Sequence, residues 1–474
     1  MLRSAVLFPA LCCTTFYAAA QKLPPDAVKA MIRDVSRELA VKHPGYYRYH
    51  PPAYFSRYTD SLSATVTDSL TELEAFRKLK PFIGQIGCLH TDLQLSPATK
   101  AAMAKRPILF PMQLYFRGQR AWVVRNASSD KSIAPGSEVL SINGRSIPQI
   151  LAALLPSIAA DGFNQTLRYR SLYNFFPLQY SRMVEVTERF TVKISAQNKI
   201  TTHSIGGAFT KDVAAPGFMM PPEHEQYLSC SIQQATAVLS IHTFADSDIK
   251  ENEQDFKLFV VNAFADMKAK GVQHLVIDLR NNTGGSDGNA AFLAGYFFDK
   301  PFRYWNRIEV TEAIAAEIKG EAEQYYNKPV RQGDRWLWQK AKVVHDFDYY
   351  EEQQPAASPF KGRVYVLTNG FTMSSAADLT AVLKYNKKAV FVGEETGGGF
   401  QGNNSGMMPE SEIKPSGMVI TVPLQKYVTA VDSTLYPGKG TIPDYPVTYT
   451  AQELISGKDK EMALVEDLIR KPSK

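Results

Sequence analysis

Three stretches of the chain set glycine turns beside groups that could carry acyl-transfer chemistry. The first, Val276-Ile277-Asp278-Leu279-Arg280-Asn281-Asn282-Thr283-Gly284-Gly285, reads as a buried strand running into a glycine turn and then a helix. Glycines at such a turn let backbone N–H groups approach a ligand closely, as an oxyanion hole requires. A plain strand-to-helix turn has the same pattern. The second, Val364-Tyr365-Val366-Leu367-Thr368-Asn369-Gly370-Phe371-Thr372-Met373-Ser374-Ser375-Ala376-Ala377-Asp378, places hydroxyls after a strand and a glycine loop, at the start of a helix. Nucleophilic serines are presented there, and the helix's N-terminal amides favour developing negative charge. The alternative is a cap, with Asp378 completing a capping box. The third is Ala389-Val390-Phe391-Val392-Gly393-Glu394-Glu395-Thr396-Gly397-Gly398-Gly399. Its Gly397-x-Gly399-x-x-Gly402 spacing imitates a dinucleotide fingerprint, but Asn403-Asn404-Ser405-Gly406 would break the helix that must hold a pyrophosphate.

The elements around these stretches fall into three parts. Pro24-Pro25-Asp26 starts a helix with Val28, Ile32, Val35 and Leu39 on one face, ended by His43-Pro44-Gly45. An aromatic-rich connection, 46–58, leads to a second helical pattern over 69–80, which Pro81 interrupts. Residues 88–95 then alternate as a strand does. This N-terminal helical region, 21–104, precedes a β-rich region, 105–206, with strands at 109–116 and 121–124 and a helix at 147–155. From residue 227 to 474 strands (237–244, 274–279, 363–368, 389–392) alternate with helices (251–270, 289–297, 375–385), and 418–423 closes the pattern. That alternation predicts βαβ units and a buried, mostly parallel sheet. An insertion at 300–360 carries Trp305, Trp336 and Trp338, and reads as a lid or a surface excursion.

Composition narrows the partners. Over 474 residues, 53 basic and 47 acidic side chains leave a net charge of +6, scattered without a basic stripe, so nucleic acid is not an expected partner. Residues 1–20 show a positive start, a short apolar run and Ala18-Ala19-Ala20, the pattern of a secretory signal cleaved after Ala20. No later run is long enough to span a membrane, so the reading is an exported soluble protein, with lipid anchoring at Cys12 or Cys13 the lesser alternative. Beyond the leader, Cys88 and Cys230 remain, enough for one bridge and too few for a disulfide scaffold. No His/Cys/carboxylate cluster has metal-ligand spacing, and no cofactor is implied.

Taken together and in this order, the three stretches resemble the tail-specific, C-terminal-processing serine peptidases and the tricorn protease core. That family shows Asp-Leu-Arg-x-Asn-x-Gly-Gly, then Ser-Ala-x-Glu, then Val-Gly-Glu-x-Thr-x-Gly, and closes with a phrase matching Gly438-Lys439-Gly440-Thr441-Ile442-Pro443-Asp444. Residues 133–144 (Ile133-Ala134-Pro135-Gly136-Ser137-Glu138-Val139-Leu140-Ser141-Ile142-Asn143-Gly144) resemble the latter half of a PDZ domain, with Ser137 in place of the usual acid. The resemblance implies an α/β catalytic domain of the ClpP and crotonase kind, joined to a PDZ-like domain and the N-terminal helices. It places the nucleophile three positions before the helix's acid, at Ser375, with oxyanion donors at Ala376 and at Gly284 or Gly285.

The tail-specific branch takes its base from a lysine where this chain has Gly397-Gly398-Gly399. The tricorn-like branch takes a histidine from a phrase ending His-Thr-x-Leu, matched here by His90-Thr91-Asp92-Leu93. An imidazole of pKa ~6.5 suits a base near neutrality. The competing histidines are His43, His50, His203, His224, His242, His274 and His345, with His242 second. The orienting acid stays open, with Glu394 one candidate. The implied function is serine-type endopeptidase action on polypeptides. The alternative is a non-catalytic protein that binds a peptide or an apolar ligand on the same fold, motivated by the missing lysine and the unplaced acid.

Overall fold

A six-stranded sheet forms the centre of the catalytic region in the computed structural model, which describes residues 22–105, 108–213, 226–342 and 348–471. The leader and the candidates His224 and His345 lie outside the described residues. The strand order is Leu228–Gln233, Thr236–Ile241, His274–Asp278, Arg363–Thr368, Val390–Gly393 and Tyr445–Pro446, with the first pair antiparallel and the rest parallel. Strands buried on both faces must be apolar throughout rather than alternating. Accordingly Leu275 and Ile277 join the main core, while Val276, Tyr365, Leu367 and Val392 pack on the other face against Val465 of the helix Lys460–Arg470. The register sets Asp278 beside Leu367, so the glycine turn after one strand and the serine loop after the next leave the same sheet edge. Ligands of open α/β sheets bind at the carboxyl ends of strands, and all three stretches emerge there.

Several elements differ from the sequence expectations. The 251–270 pattern divides into Asp246–Glu251 and Phe256–Ala269, the latter capped by Asp255. The 69–80 pattern becomes Glu72–Gly84, started by a Thr71/Glu74 capping box. Pro81 lies inside that helix instead of ending it, because burial of Phe82, Ile83 and Gly84 outweighs one lost backbone bond. The aromatic connection contains a further helix, Pro52–Ala64. Met418–Thr421 does not extend the parallel sheet. It lies antiparallel between Glu410–Ile413 and Asp92–Gln94, with Leu93 opposite Ile420. That small sheet ties the front of the chain, two residues after His90, to the catalytic region.

The β-rich region has its own core, in which Phe110, Leu114, Val123, Ile142 and Val192 meet the helix Ile147–Leu154. An 18-residue helix, Thr166–Met183, packs there as well. Its buried set includes Asn174, Pro177 and Ser181, which blurs the apolar stripe that periodicity reads. The 300–360 stretch is neither a free lid nor an excursion. Trp305–Val310 pairs with Gln425–Thr429 and Arg335–Leu337 in a five-stranded sheet, and Trp305 is fully buried. Among the described residues, no helix is long and apolar enough to cross a membrane.

Cys88 and Cys230 are both free, so the optional bridge is not made. Burial pushes the Cys88 thiol up to about 12, where it stays protonated and inert. Alkylation of the denatured, unreduced protein should therefore modify both cysteines, as read by peptide mass spectrometry. A disulfide-linked Cys88–Cys230 peptide would contradict this arrangement.

Candidate active site

The first two stretches interlock through side-chain amides. Asn369 Oδ1 accepts from the Asn281 amide (3.0 Å) and Asn369 Nδ2 donates to Asn281 Oδ1 (2.9 Å). Thr372 Oγ1 donates to the Leu279 carbonyl (2.8 Å), and the Met373 amide donates to the Asn282 carbonyl (3.0 Å). Asn282 Nδ2 donates to the Ile241 carbonyl (2.9 Å), securing the turn to the neighbouring strand. Asp278 and Arg280 pair with one another, and Arg280 reaches on to Asp459 and Glu461 near the chain's end. The polar residues of both stretches thus brace two adjoining turns.

Glycine is required where those turns touch. Gly284 has φ +104°, and a Cβ there would lie 2.6 Å from Ser374 Cβ and 3.1 Å from the Ser375 amide nitrogen. Gly285 has φ +138°, and a Cβ there would fall 2.0 Å from the Ala245 nitrogen. No side chain fits either place.

At the serine loop, the helix Ser375–Tyr385 begins directly after Ser374, which holds φ 51°, ψ −132°. Such backbone is strained for a non-glycine residue and persists only where its surroundings enforce it. Ser374 is partly exposed, whereas Ser375 is buried. The capping alternative fails: Ser374 makes no side-chain cap, and buried Asp378 instead accepts from Trp305 Nε1 (3.3 Å) and Asn403 Nδ2 (3.2 Å). Ser375 Oγ is buried with no hydrogen-bond partner among the described residues.

The expected oxyanion donors need correction. The Ala376 amide donates to the Met373 carbonyl (3.0 Å), and the Gly284 amide to Asn282 Oδ1 (2.9 Å), so both are occupied. Gly285 is bridged to Phe244 through its neighbours' polar groups: the Phe244 amide donates to the Gly284 carbonyl, and the Ser286 amide to the Phe244 carbonyl. Among the described residues, Gly285's own amide has no partner, and the residue is exposed. The Ser375 amide is likewise unused and adjoins Gly284. The amides of Gly285 and Ser375 are therefore the available pair. Beside Gly285 opens a cavity of about 630 Å3, walled by Phe256, Trp338, Tyr349 and Tyr427, with Asp287 in its lining. Neither Ser375 nor His90 lines it.

His90 arrives from the front of the chain on a turn that packs against the serine loop. Leu89 and Met373 both border one apolar cluster with Ala160, Leu167 and Phe371. Burial pushes the imidazole down to about 4, partly offset by a hydrogen bond with the Asn404 backbone, so it is neutral at pH 7. Its Nδ1 is buried, with no hydrogen-bond partner among the described residues. No hydrogen bond joins Nδ1 to Ser375 Oγ; the two orphaned atoms belong to adjoining loops without being bonded. Behind the turn, the His43 Nδ1 accepts from the Gly45 amide (3.1 Å), which leaves Nε2–H to donate to Thr91 Oγ1 (3.0 Å). Burial lowers His43 to about 3, and it acts as a fixed neutral brace.

Glu394 does not orient His90. Its Oε2 accepts from Arg170 (2.7 Å) and from the Gly370 amide (3.2 Å), so it supports the serine loop and the long helix. The carboxylate that does meet the histidine turn is Asp161, from the segment between the β-rich region's helices. Its two oxygens accept from the amides of Leu89 (2.9 Å) and Gly399 (3.0 Å). Nothing in its local sequence, Ala160-Asp161-Gly162, distinguishes it from a turn aspartate. The competing His242 directly follows the strand Thr236–Ile241, whose last carbonyl Asn282 holds. His203 pairs with Asp130 (2.8 Å) in the β-rich region, His50 stacks on Tyr54, and His274 starts a central strand. Among the described residues, no group of three or more His, Cys, Asp or Glu side chains is arranged to hold a metal.

Comparison with known proteins gives this geometry a family. Residues 235–447 match the model of peptidase family S41. Among solved structures, mature CPAF complexed with lactacystin is similar over 94% of this chain and 98% of its own, at 15% identity and a TM-score of 0.65. A mutant of CPAF is similar over 95% and 99%, at 14% identity and a TM-score of 0.67. The photosystem II D1 C-terminal processing protease is matched over 89% and 93%, at 13% identity and a TM-score of 0.40. The likeness to CPAF is one of fold, and it extends beyond the matched family region to nearly the whole chain. By the family match, residues 235–447 belong to peptidase family S41, and the protein is a serine-type peptidase.

Proposed function

We propose that the chain is an exported serine endopeptidase that cleaves polypeptides through an acyl-enzyme on Ser375, with His90 as the base. The observation that carries this reading is the convergence at one strand-end junction of an unpartnered alcohol, two unused amides and the loop of an unpartnered imidazole. Buried polar atoms are nearly always satisfied, and orphans that cluster mark a site that a ligand completes. The hydroxyl attacks the peptide carbonyl and its proton passes to His90. The amides of Ser375 and Gly285 receive the oxyanion, and the nucleophile's own N–H is an established donor of this kind. The intermediate collapses, His90 protonates the departing amine, and water repeats the sequence on the ester. The alcohol and imidazole come into hydrogen-bond contact as substrate binds, since such bonds are commonly long in unliganded sites. The cavity beside Gly285 supplies an aromatic wall for a substrate side chain.

The β-rich region acts as a PDZ-like module that gates or holds an extended polypeptide by strand addition. The leader directs export, so the secreted chain should begin at Gln21 when its N-terminus is sequenced, whereas retention of residues 1–20 would argue against export.

A fluorophosphonate probe should label the wild type, with the hydroxyl attacking phosphorus and fluoride leaving, and Ser375→Ala should lower this phosphonylation at least ~10^3-fold. His90→Ala should lower it by ~10^2–10^4 with the thermal midpoint nearly unchanged. An unlabelled wild type without casein hydrolysis would leave the binding-protein alternative standing. One observation favours a second assignment: Ser374 holds the strained backbone of a nucleophile elbow and is the more exposed hydroxyl. Loss of labelling in Ser374→Ala with labelling kept in Ser375→Ala would move the nucleophile by one residue.

Because burial sets His90 at about 4, the neutral base persists well below the usual imidazole range. The acid limb of kcat/KM that belongs to His90 should therefore lie near pH 4, measured on a fluorogenic peptide in Asp161→Asn, where the buried carboxyl at about 6 no longer titrates. An acid limb centred at 6.5 in that variant would show a solvated imidazole instead.

A further inference from the structure

Asp161 belongs to neither the nucleophile loop nor the histidine turn, yet it is bonded to both neighbourhoods. It lies in the segment between the short 3-10 turn Leu155–Ser157 and the helix Thr166–Met183, and its exposure is 2%. Oδ1 accepts from the amide of Leu89, the residue before His90, at 2.9 Å. Oδ2 accepts at 3.0 Å from the amide of Gly399, in the loop whose Gly398 packs against the Ser374 nitrogen. The flanking backbone repeats the pattern: the Gly162 amide donates to the Gly87 carbonyl (3.0 Å), and the Phe163 amide to the Gly438 carbonyl (2.8 Å). Asn164 Nδ2 donates to the Thr396 carbonyl (2.8 Å), and Asn164 Oδ1 accepts from the Leu167 amide (2.8 Å). One short segment therefore joins the histidine turn, the triple-glycine loop and the closing glycine phrase.

The chemistry of the tie selects a carboxylate. Two backbone N–H donors, from segments more than three hundred positions apart in sequence, converge on one side chain that must offer two acceptor atoms. An ionised carboxylate provides both, whereas an amide would set its NH2 against one of the donors. A carboxylate is rarely buried without such partners. Burial pushes the Asp161 carboxyl up to about 6, the two amides and Arg48 opposing that rise.

We propose that Asp161 is a positioning residue, whose carboxylate clamps the His90 turn to the glycine loop beside Ser374 and Ser375 and thereby sets the base's place. This rests on the peptidase reading above, since it gives the clamp its purpose. It also accounts for the missing orienting acid. The carboxylate fixes the turn that carries the imidazole, rather than the imidazole itself.

The test separates the phosphonylation rate constant from reversible probe binding for fluorophosphonate reaction of the full chain, in wild type, Asp161→Asn, His90→Ala and the double variant. Asp161→Asn keeps the side chain's size and one acceptor, with folding checked by its thermal midpoint. It should lower the phosphonylation constant at least tenfold and leave probe affinity within twofold. In the His90→Ala background it should cause no further loss, because the clamp acts through His90. An unchanged phosphonylation constant, or losses that multiply in the double variant, would overturn the positioning role while leaving Ser375 and His90 in place. Labelling absent even from wild type would sink the peptidase mechanism instead. Deuterium exchange then judges the clamp alone: peptides holding Leu89 and Gly399 should exchange faster in Asp161→Asn, and unaltered exchange there would overturn it.

Discussion

The close approach of two turns at one sheet edge is the constraint on which the rest of this molecule depends. Gly284 meets the Ser374–Ser375 backbone at distances no side chain allows, and the reciprocal Asn281–Asn369 amide pair holds the contact in register. Parallel pairing of the two preceding strands makes that contact reachable, since Asp278 and Leu367 end side by side. The strained backbone at Ser374 is maintained because the loop is held on both sides, by Asn282 below and by Gly398 above. Backbone strain costs on the order of 1–3 kcal/mol and needs such over-determination to survive.

Around that junction lies a dry shell of titratable groups. Burial raises Asp161 and Asp287 to about 6 and Asp378 to about 8, and it lowers His90 to about 4 and His43 to about 3. The stabilities linked to these shifts run in opposite directions. The carboxyls hold protons more tightly folded than unfolded, so their contribution is complete below the unfolded carboxylate range and is lost as pH rises through 6 to 8. The imidazoles hold protons less tightly folded, so theirs is complete above about 6.5 and is lost as pH falls toward 4 and 3. A water-poor surround is also what makes fixed amide dipoles effective against developing charge.

The long-range construction explains why the chain is so long for one peptide-cleaving centre. The front helices pack their apolar stripe, Val28, Ile32, Val35 and Leu39, into the same core as the central sheet, and the strand Asp92–Gln94 pairs with Met418–Thr421. The histidine turn is thus delivered by a segment that packs as part of the α/β region though remote from it in sequence. The β-rich region keeps a separate core but sends the 161–164 segment into the junction. Glu394, legible as an acid at a strand end, serves a structural pairing with Arg170 because the long helix, unread in the sequence, brings that guanidinium to it.

Local chemistry was legible where it depends on short-range rules. Alternating strands and helices announced the parallel sheet, and glycines at 284 and 285 announced a turn needing positive φ, because both follow from the sterics of a few neighbouring residues. The Ser375–Tyr385 helix is of the same kind. Which amides remain free, which carboxylate meets the histidine turn, and that Cys88 and Cys230 stay apart were decided only by the tertiary structure. The reason is physical: a donor is free or taken, and a side chain is buried or paired, according to atoms contributed by segments hundreds of positions away, and no local pattern of residues encodes that contact.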